Sequence, residues 1–362
     1  MPVGVRFGSG CSASIPDELG DSPALVMAFA PATALGWRAR WESALGDRLR
    51  GWIEVPDGLS SLACCRALAP PAWQALADSP GCVLVALGGG TTLDVAKLLR
   101  CRPRHGGFDA VANALRGHAP WPALDLAPLW MVPTTAGTGS EVTRWATLWD
   151  TDVRPALKRS FDEPFGYACR AFVDPALTLS CPPAVTRDTA LDALSHALEA
   201  IWNRHANPVS DALALSAARQ VIRTLPTCLR DPRELRWREA LALASLQAGM
   251  AFSQTRTALA HALSYDVTLR HRLPHGLAVA LWLPTAWSLA AGREPRVDAL
   301  LGAVFGEGGA GGEDGLAALR RWLTALGVPA DPAAIGIHDG ADRVQAALRS
   351  PRGRNFVGAP HD

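Results

Sequence analysis

The sequence predicts an α/β domain followed by an all-helical domain. Up to about residue 180, short apolar runs alternate with helical stretches, which is typical of a parallel sheet covered by helices. After the Cys-Pro-Pro segment at 181–183, alanine- and leucine-rich helical patterns dominate. We therefore expect a Rossmann-like parallel-sheet domain over residues 1–180 and an all-helical domain over residues 181–362, with a glycine-rich connection at 306–315.

Composition agrees with this division and excludes several classes of protein. The 362 residues suffice for two domains with separate cores, and the net charge of +1 gives no electrostatic reason to expect a nucleic-acid partner. No apolar stretch reaches the roughly 18 residues of a membrane span, and no basic-then-apolar leader is present, so we expect neither a membrane protein nor export. Eight cysteines without a C-x-x-C pattern favour reduced thiols in the cytoplasm.

Four apolar runs are the predicted strands of the sheet: Ala24–Phe29, 82–87, Leu129–Pro133 and 171–173. The second run continues directly into Gly88, Gly89 and Gly90 and then into a helical stretch. Three glycines let the backbone approach a ligand closely, and the following helix N-terminus favours an anion, so a pyrophosphate is the natural ligand. The alternative is a tight turn without a ligand, because the pattern is neither G-x-G-x-x-G nor a Walker A loop.

The third run ends in a loop of small hydroxyl residues and glycines, from Thr134 and Thr135 to Ser140. Such residues at the carboxyl end of a strand are typical of the nucleotide-binding crevice of an open α/β sheet. The alternative is a polar loop that caps a helix through Ser140.

Only two of the 35 lysines and arginines are lysines, Lys97 and Lys158, and both lie in or near these segments. Lysine is a compact point charge that arginine does not replace where space or phosphate geometry is tight. We predict that Lys158 reaches the cofactor or the active site. For Lys97 we leave open that it packs its stem against the sheet instead.

Four residues in the second half are predicted ligands of one metal ion. Asp192 and His196 are four positions apart in a helical run, so both side chains lie on the same helix face. His261 follows an apolar helical stretch, and His275 follows Pro274, which breaks the helix and can turn the second imidazole toward the first. One carboxylate and three imidazoles suit Fe(II), Zn(II) or another first-row cation. Taken singly, any of these histidines is better explained as a hydrogen-bonded core or surface residue.

On these residues the chain resembles the iron-dependent (group III) alcohol dehydrogenase family, which is similar in fold to glycerol dehydrogenase and dehydroquinate synthase. The matching segments lie in the same order and are 88–97, 133–143, 174–175, 192–199 and 261–276. The resemblance implies an NAD(P)H-binding N-terminal domain, a helical metal domain, an active site in the cleft between them, and a homodimer. It implies metal-binding roles for Asp192, His196, His261 and His275. It also implies cofactor-binding roles for Gly88, Gly89, Gly90, Thr91, Asp94, Thr134, Thr135, Ser140 and Lys158.

The chain departs from the family pattern around His261. Tyr265 stands where many members carry a further histidine; a phenol with an ordinary pKa of about 10 is a poorer base, although it can donate a hydrogen bond or relay a proton. Arg256 and Thr257 lie one to two helical turns before His261. With segments 192–203 and 207–208, this is similar to the branch that reduces phosphonoacetaldehyde, and guanidinium pairs bidentately with a phosphonate. Alternatively, Arg256 pairs with a carboxylate such as Glu199.

The prediction is therefore a metal-dependent NAD(P)H oxidoreductase that reduces a small anionic aldehyde, phosphonoacetaldehyde first, in phosphonate metabolism and antibiotic biosynthesis. Tyr265, Lys158 and Arg256 are its predicted catalytic residues. Alternatives are a reductase of another small aldehyde or 2-oxo acid, such as lactaldehyde or phosphonopyruvate, a dehydroquinate synthase-like lyase, and a non-catalytic metal or nucleotide binder.

Fe(II) is the expected metal and Zn(II) the alternative. NADPH is permitted beside NADH, because residues 30–34 offer no acid to hold a ribose 2′-hydroxyl; Arg38 and Arg40 either hold a 2′-phosphate or are solvated.

Overall fold

The computed structural model describes residues 2–306 and 311–360. The chain separates into two compact units. The first unit runs to Thr135 and includes Ser140–Thr178, and the second contains Ala136–Gly139 together with the chain from Leu179 onward. The short segment Ala136–Gly139, which lies inside the predicted hydroxyl-rich loop from Thr134 to Ser140, thus belongs to the second unit.

The first unit is built on a six-stranded sheet in which all neighbouring strands are parallel. Its spatial order is β1 (Gly4–Phe7), β10 (Arg170–Val173), β7 (Leu129–Pro133), β4 (Val83–Gly88), β2 (Ala24–Phe29) and β3 (Leu49–Val55). Two antiparallel pairs lie outside it: β5 (Cys101–Pro103) with β6 (Leu124–Leu126), and β8 (Trp145–Asp150) with β9 (Leu157–Asp162). Its helices are α1 (Ile15–Leu19), α2 (Trp37–Leu45), α3 (Leu62–Ala77), α4 (Gly90–Leu99) and α5 (Gly107–Leu115).

The predicted strands form the interior of this sheet. Every residue of β4 and β7 is buried, which is why their sequences are continuously apolar. The outer strands β1 and β3 were not predicted, because they are largely exposed or half-buried and carry charged residues such as Arg6 and Glu54. An edge strand has one unpaired side and does not need a continuous apolar run.

The second unit is all-helical over its described residues, as predicted. Its helices are α6 (Pro183–Ile201), α7 (Pro208–Arg230), α8 (Leu235–Thr255), α9 (Leu259–His271), α10 (His275–Ala280), α11 (Leu283–Ala290), α12 (Pro295–Val304), α13 (Gly311–Ala325) and α14 (Gly340–Leu348). Helix α6 is central, since all its residues from Ala190 to Ile201 are buried against neighbouring helices. Of the predicted connection 306–315, residues 307–310 lie outside the described part, and the chain is already helical from Gly311, so the prediction is wrong there.

No helix among residues 2–306 and 311–360 combines the length and the apolar character that a membrane crossing requires.

Candidate functional site

The side chain of Asp192 is the centre of a histidine cluster in the second unit. Its Oδ1 atom lies 3.7 Å from His196 Nε2, 3.4 Å from His261 Nε2 and 3.8 Å from His275 Nε2. Helix α6 supplies Asp192 and His196 from one face, α9 supplies His261 from its first turn, and His275 is the first residue of α10. The structure thus brings together all four residues that the sequence predicts as metal ligands.

The cluster fits a divalent cation. Within the described residues, Asp192 Oδ1 and His261 Nε2 are buried atoms without a hydrogen-bond partner. One ligand atom each from Asp192, His261 and His275 lie within 4.8 Å of one another. Ligand atoms about 2.1 Å from a tetrahedral cation are roughly 3.4 Å apart, which is close to the distances around Asp192 Oδ1. Two orphaned polar atoms that face each other are costly unless an ion joins them.

His196 lies at one side of this cluster. Its ring is stacked between the ring of Phe252, at a centroid distance of 4.0 Å, and that of His261, at 4.8 Å. Its Nδ1 is 3.3 Å from the carbonyl oxygen of Gly137, which leaves Nε2 on the Asp192 side. The three mutually close ligand atoms do not include one from His196, so the metal contact of His196 stays a prediction.

Glu199 holds His261 in place. Its carboxylate accepts hydrogen bonds from His261 Nδ1 at 2.6 Å, from the backbone N–H of His261 at 3.1 Å and from that of Ala258 at 2.8 Å. The Nδ1 bond keeps Nε2 turned toward Asp192, and the two backbone bonds cap the first turn of α9. Glu199 was expected from the sequence as a possible partner of Arg256, but it lies on the Asp192 and His196 face of α6 and contacts His261 instead.

The charges within the cluster set its protonation. Burial alone would raise the pKa of Asp192, but the histidines hold it well below its ordinary value. Burial lowers the pKa of His196 to about 4. Burial also disfavours the charged form of His261, yet the carboxylates of Glu199 and Asp192 raise its pKa on balance. At neutral pH, Asp192 and His196 are therefore already in the forms that bind a metal, while a cation competes with a proton at His261.

One side of the cluster is open. The side chain of His275 is 42% exposed, against 6% for Asp192 and 3% for His261. A catalytic metal needs an accessible coordination position, and a buried structural metal does not. The exposure of His275 thus favours a site that a small molecule can reach.

Close packing of backbone positions His275. A Cβ atom on Gly276 would lie 1.7 Å from the carbonyl oxygen of Asp188 in α6, and one on Gly137 would lie 2.5 Å from that of Thr189. Real Cβ atoms do not approach backbone this closely, so the chain has to shift if either glycine is replaced. The glycines allow α10 and the Ala136–Gly139 segment to approach the helix that carries Asp192.

Replacing Gly276 with alanine is expected to push α10 away from α6 and to weaken metal binding. The matched control is Gly340→Ala, also in the first turn of a helix, where the added Cβ meets only the Trp282 ring at 3.8 Å. Metal titration and thermal unfolding of both variants test this: G276A should lower both metal affinity and Tm, and G340A should leave both near wild type. Equal metal affinity in the two variants would contradict it.

The candidate cofactor turn lies at the carboxyl end of β4 in the first unit. A Cβ on Gly88 would lie 2.5 Å from Thr92 Oγ1, and one on Gly89 would meet the Thr135 side chain at 3.3 Å. The backbone N–H of Thr134 donates to the carbonyl of Gly88 at 3.0 Å, so the two predicted turns lie side by side. Helix α4 begins at Gly90, and its free N–H groups are those that favour a phosphate.

Two predicted cofactor-binding residues, Asp94 and Ser140, are hydrogen-bonded to each other near this turn. Asp94 accepts hydrogen bonds from Ser140 Oγ and from the backbone N–H of Thr147, both at 2.8 Å. Lys97 is fully buried, and its Nζ donates to Ser140 Oγ at 2.9 Å and to the Trp145 carbonyl at 2.5 Å. This agrees with the expectation that Lys97 packs against the sheet. These contacts link α4 to the neighbouring segments and stabilise the turn; direct cofactor contact by Asp94 or Ser140 stays a prediction.

Two more predicted cofactor residues lie nearby. Lys158 is half-buried in β9 opposite Trp149, and its charge acts on the pKa of Asp94. Thr91 is half-buried, and its hydroxyl donates to the carbonyl of Gly58 at 2.9 Å. Thr91 is thus in the first turn of α4, and Lys158 lies close enough to the same helix for its charge to act on Asp94; cofactor contact by either residue stays a prediction.

The two predicted catalytic residues of the second unit differ in environment. Tyr265 is one turn after His261, its hydroxyl is enclosed, and burial raises its pKa to about 12. It is therefore a hydrogen-bond donor at neutral pH and not a base.

Arg256 is exposed at the end of α8, with a positive φ of 68°. Its carbonyl accepts from Asn203 Nδ2 at 3.1 Å. The carboxylate of Glu199 is occupied by His261 and the backbone of Ala258, and a pair between Glu199 and Arg256 stays an untested alternative.

A further arginine, Arg352, which was not predicted from the sequence, lies beside Tyr265. Its Nη1 donates to Thr257 Oγ1 at 2.8 Å, and its guanidinium lies over the Tyr265 ring, 5.4 Å from the centroid. No local signal in the sequence points to this contact, because 87 positions separate Tyr265 from Arg352.

Family models match both halves of the chain. The model described as iron-containing alcohol dehydrogenase matches residues 2–175, and the model of the C-terminal part of the Fe-containing alcohol dehydrogenase family matches residues 186–351. The 1,3-propanediol dehydrogenase of Klebsiella pneumoniae is 32% identical over 289 residues, which are 76% of this chain and 71% of that protein. The choline dehydrogenase of Bacillus subtilis is 36% identical over 54% of this chain. This chain spans only about half of several curated relatives, 48% in that case.

Solved structures of alcohol dehydrogenases and aldehyde reductases resemble this chain in fold. A sulfoacetaldehyde reductase from Bifidobacterium kashiwanohense, in complex with NAD+, aligns with a TM-score of 0.85 at 26% identity, covering 98% of this chain and 93% of that chain. An iron-containing alcohol dehydrogenase from Thermotoga maritima aligns with a TM-score of 0.77 at 26% identity, covering 100% and 95%. With both family models matched and a relative aligned over most of its length, the chain belongs to the iron-containing alcohol dehydrogenase family.

Proposed function

We propose that this chain is a metal-dependent NAD(P)H oxidoreductase that reduces a small anionic aldehyde to a primary alcohol, with phosphonoacetaldehyde as the first candidate. The observation that carries the proposal is the pair of orphaned atoms, Asp192 Oδ1 and His261 Nε2, beside the exposed His275. That arrangement suits a cation with an accessible position. Membership of a family of alcohol dehydrogenases supplies the reaction class.

Each unit contributes its own residues to this function. In the proposal, residues 1–180 bind the dinucleotide through Gly88, Gly89 and Thr135, with Lys158 reaching the cofactor, and residues 181–362 bind the metal. When bound, the cation polarises the substrate carbonyl and NAD(P)H supplies the hydride. Fe(II) is the proposed metal, and Zn(II) binds the same donor set.

The second unit's own residues position the reaction. Glu199 fixes the direction of His261 Nε2, and the rings of His196 and Phe252 close one side of the cluster. Tyr265 remains protonated, so it donates a hydrogen bond to a substrate or product oxygen and does not take up a proton from it. The proton that completes alcohol formation therefore comes from solvent or from a relay that ends at this phenol.

An anionic aldehyde is favoured by two observations. The second unit presents Arg352 beside Tyr265, one helical turn after His261. Among the structural relatives is a reductase named for sulfoacetaldehyde, an aldehyde whose anionic group resembles a phosphonate in shape. Guanidinium groups bind such oxyanions bidentately.

Oxidation of NADH and NADPH by added aldehyde tests the proposal. The purified protein, loaded with Fe(II) or Zn(II), is given phosphonoacetaldehyde, sulfoacetaldehyde, phosphonopyruvate, lactaldehyde and propionaldehyde. Steady-state oxidation of the cofactor with an anionic aldehyde, at a kcat/KM at least about 10-fold above that for propionaldehyde, supports it; one such factor corresponds to about 1.4 kcal/mol of selective binding. Preference for a neutral aldehyde would reject the substrate class, and product formation without net cofactor oxidation would indicate a lyase.

A further inference from the structure

The carboxyl edge of the sheet in the first unit has a crevice beside the glycine turn. Strands β2 and β4 are parallel neighbours, with Ala28 opposite Leu87. The helices that follow them cover opposite faces of the sheet, because Leu45 of α2 packs on the face that holds Ala28 and Leu87, whereas Leu93 of α4 packs on the other face. In an open parallel sheet, a nucleotide binds where the chain leaves adjacent strands toward opposite faces. The dinucleotide crevice therefore lies between the turn after β2 and the glycine turn after β4.

An acidic residue, Glu54, reaches this edge from the next strand. Strand β3 pairs with the other side of β2, and Glu54 lies opposite Ala28. Because Ala28 is itself opposite Leu87 and neighbouring strands are about 4.8 Å apart, the Cα atom of Glu54 is about 10 Å from that of Leu87. Gly88, the first residue of the glycine turn, follows Leu87 directly. In nucleotide-binding sheets of this kind, the strands on that side of the glycine turn border the adenosine ribose.

Hydrogen bonds join the loops around Glu54. The hydroxyl of Thr33, in the turn after β2, donates to Glu54 Oε1. In the loop after β3, the carbonyl of Gly58 accepts from Thr91 Oγ1, in the first turn of α4, at 2.9 Å. Both Glu54 and Thr33 are exposed, so a ligand can reach them. Glu54 is thus held at the edge where the loops after β2, β3 and β4 meet.

The charge of Glu54 distinguishes two dinucleotides. An ionised carboxylate only accepts hydrogen bonds, and its two oxygens have room for a ribose 2′-hydroxyl beside the hydroxyl of Thr33. The same carboxylate repels a 2′-phosphate. Glu54 forms no ion pair among residues 2–306 and 311–360, so no cation of this part of the chain neutralises it. Arg38, one candidate for a 2′-phosphate, is paired with Glu42 at 2.8 Å. The structure thus supplies the acid that residues 30–34 lack.

We propose that Glu54, oriented by Thr33, is the specificity-determining residue for the dinucleotide, and that it binds the adenosine 2′-hydroxyl of NADH and rejects the 2′-phosphate of NADPH. This inference rests on the proposed function. It names NADH as the dinucleotide and assigns the preference to a residue of β3.

The test measures the dissociation constants of NADH and NADPH by fluorescence, with the Zn(II)-loaded protein and without aldehyde. The wild type should bind NADH at least about 10-fold more tightly than NADPH, because a like charge at the 2′-phosphate costs a factor of ten or more. Glu54→Gln should lower this preference about 10-fold, mainly through tighter binding of NADPH, since the amide is uncharged and still offers one acceptor oxygen. The matched control is Asp57→Asn, which removes an exposed acid three positions later and should keep the wild-type preference.

Two further variants complete the test. Glu54→Asp retains the charge and should retain a preference for NADH, so it decides the matter if the Tm of E54Q falls. Arg40→Met removes the other arginine considered for a 2′-phosphate, which is exposed in α2, and should leave both dissociation constants unchanged.

Several results would count against Glu54. Equal or tighter binding of NADPH by the wild type, an unchanged preference in E54Q, an equal loss of preference in D57N, or a selective loss of NADPH binding in R40M would each overturn this inference alone. Failure of the wild type to bind either dinucleotide would instead reject the proposed function.

Discussion

His261→Ala is expected to abolish both metal binding and aldehyde reduction. The substitution removes Nε2, which lies 3.4 Å from Asp192 Oδ1 within the cluster of ligand atoms. It also leaves the buried carboxylate of Glu199 without the imidazole that now compensates it. Breaking a buried charged pair by removing one partner costs about 3–5 kcal/mol, so a lower stability of the second unit is expected as well.

The measurements are metal content by mass spectrometry, cofactor oxidation and the Tm. His271→Ala is the matched control, because His271 is an exposed histidine in the last turn of the same helix. NADH binding, measured by fluorescence in the absence of aldehyde, should survive in H261A, since the predicted cofactor residues belong to the first unit. Wild-type metal content together with wild-type turnover in H261A would overturn the metal assignment.

Local periodicity explains what the sequence could predict in this cluster. Asp192 and His196 are four residues apart on a helix, and this spacing alone puts them on one face. Helix α9 ends at His271, with Arg272 in the left-handed region, and Pro274 is the N-cap of α10, so that His275 begins the next helix and lies near Asp192 of α6. Helix geometry is set within a few residues, and such arrangements are therefore accessible from a single sequence.

Contacts between distant segments were not accessible in the same way. The position of Arg352 depends on the packing of the C-terminal segment against the start of α9, and nothing near residue 352 in the sequence indicates it. The edge strands β1 and β3 were missed for a related reason, because half-exposed strands lack the apolar run that marks β4 and β7. Glu199 belongs to the predicted helix, but its hydrogen bond to His261 depends on how α6 packs against α9 and was not predictable from either segment alone.

Glu199→Gln is expected to weaken metal binding about 10- to 100-fold, the range that follows loss of a carboxylate behind a metal-binding histidine. The two oxygens of Glu199 accept from three N–H donors, the imidazole of His261 and the backbone of His261 and Ala258. Glutamine has the same size but one acceptor oxygen, so its amide NH2 faces at least one of these donors. A buried donor left unsatisfied costs about 1–3 kcal/mol.

Two different roles of Glu199 predict different results. If it only capped α9, E199Q would lower Tm equally with and without metal and leave the metal dissociation constant unchanged. Because its carboxylate also holds Nδ1 of His261, we expect the rise in Tm on adding Zn(II) to shrink, since stabilisation by a ligand follows its affinity. Competition with a chromogenic chelator measures the dissociation constant directly, and Glu234→Gln, an exposed glutamate just before α8, is the control. An unchanged dissociation constant in E199Q would leave Glu199 with the capping role alone, whereas weaker binding in E199Q and not in E234Q would show that the carboxylate positions His261 for the metal.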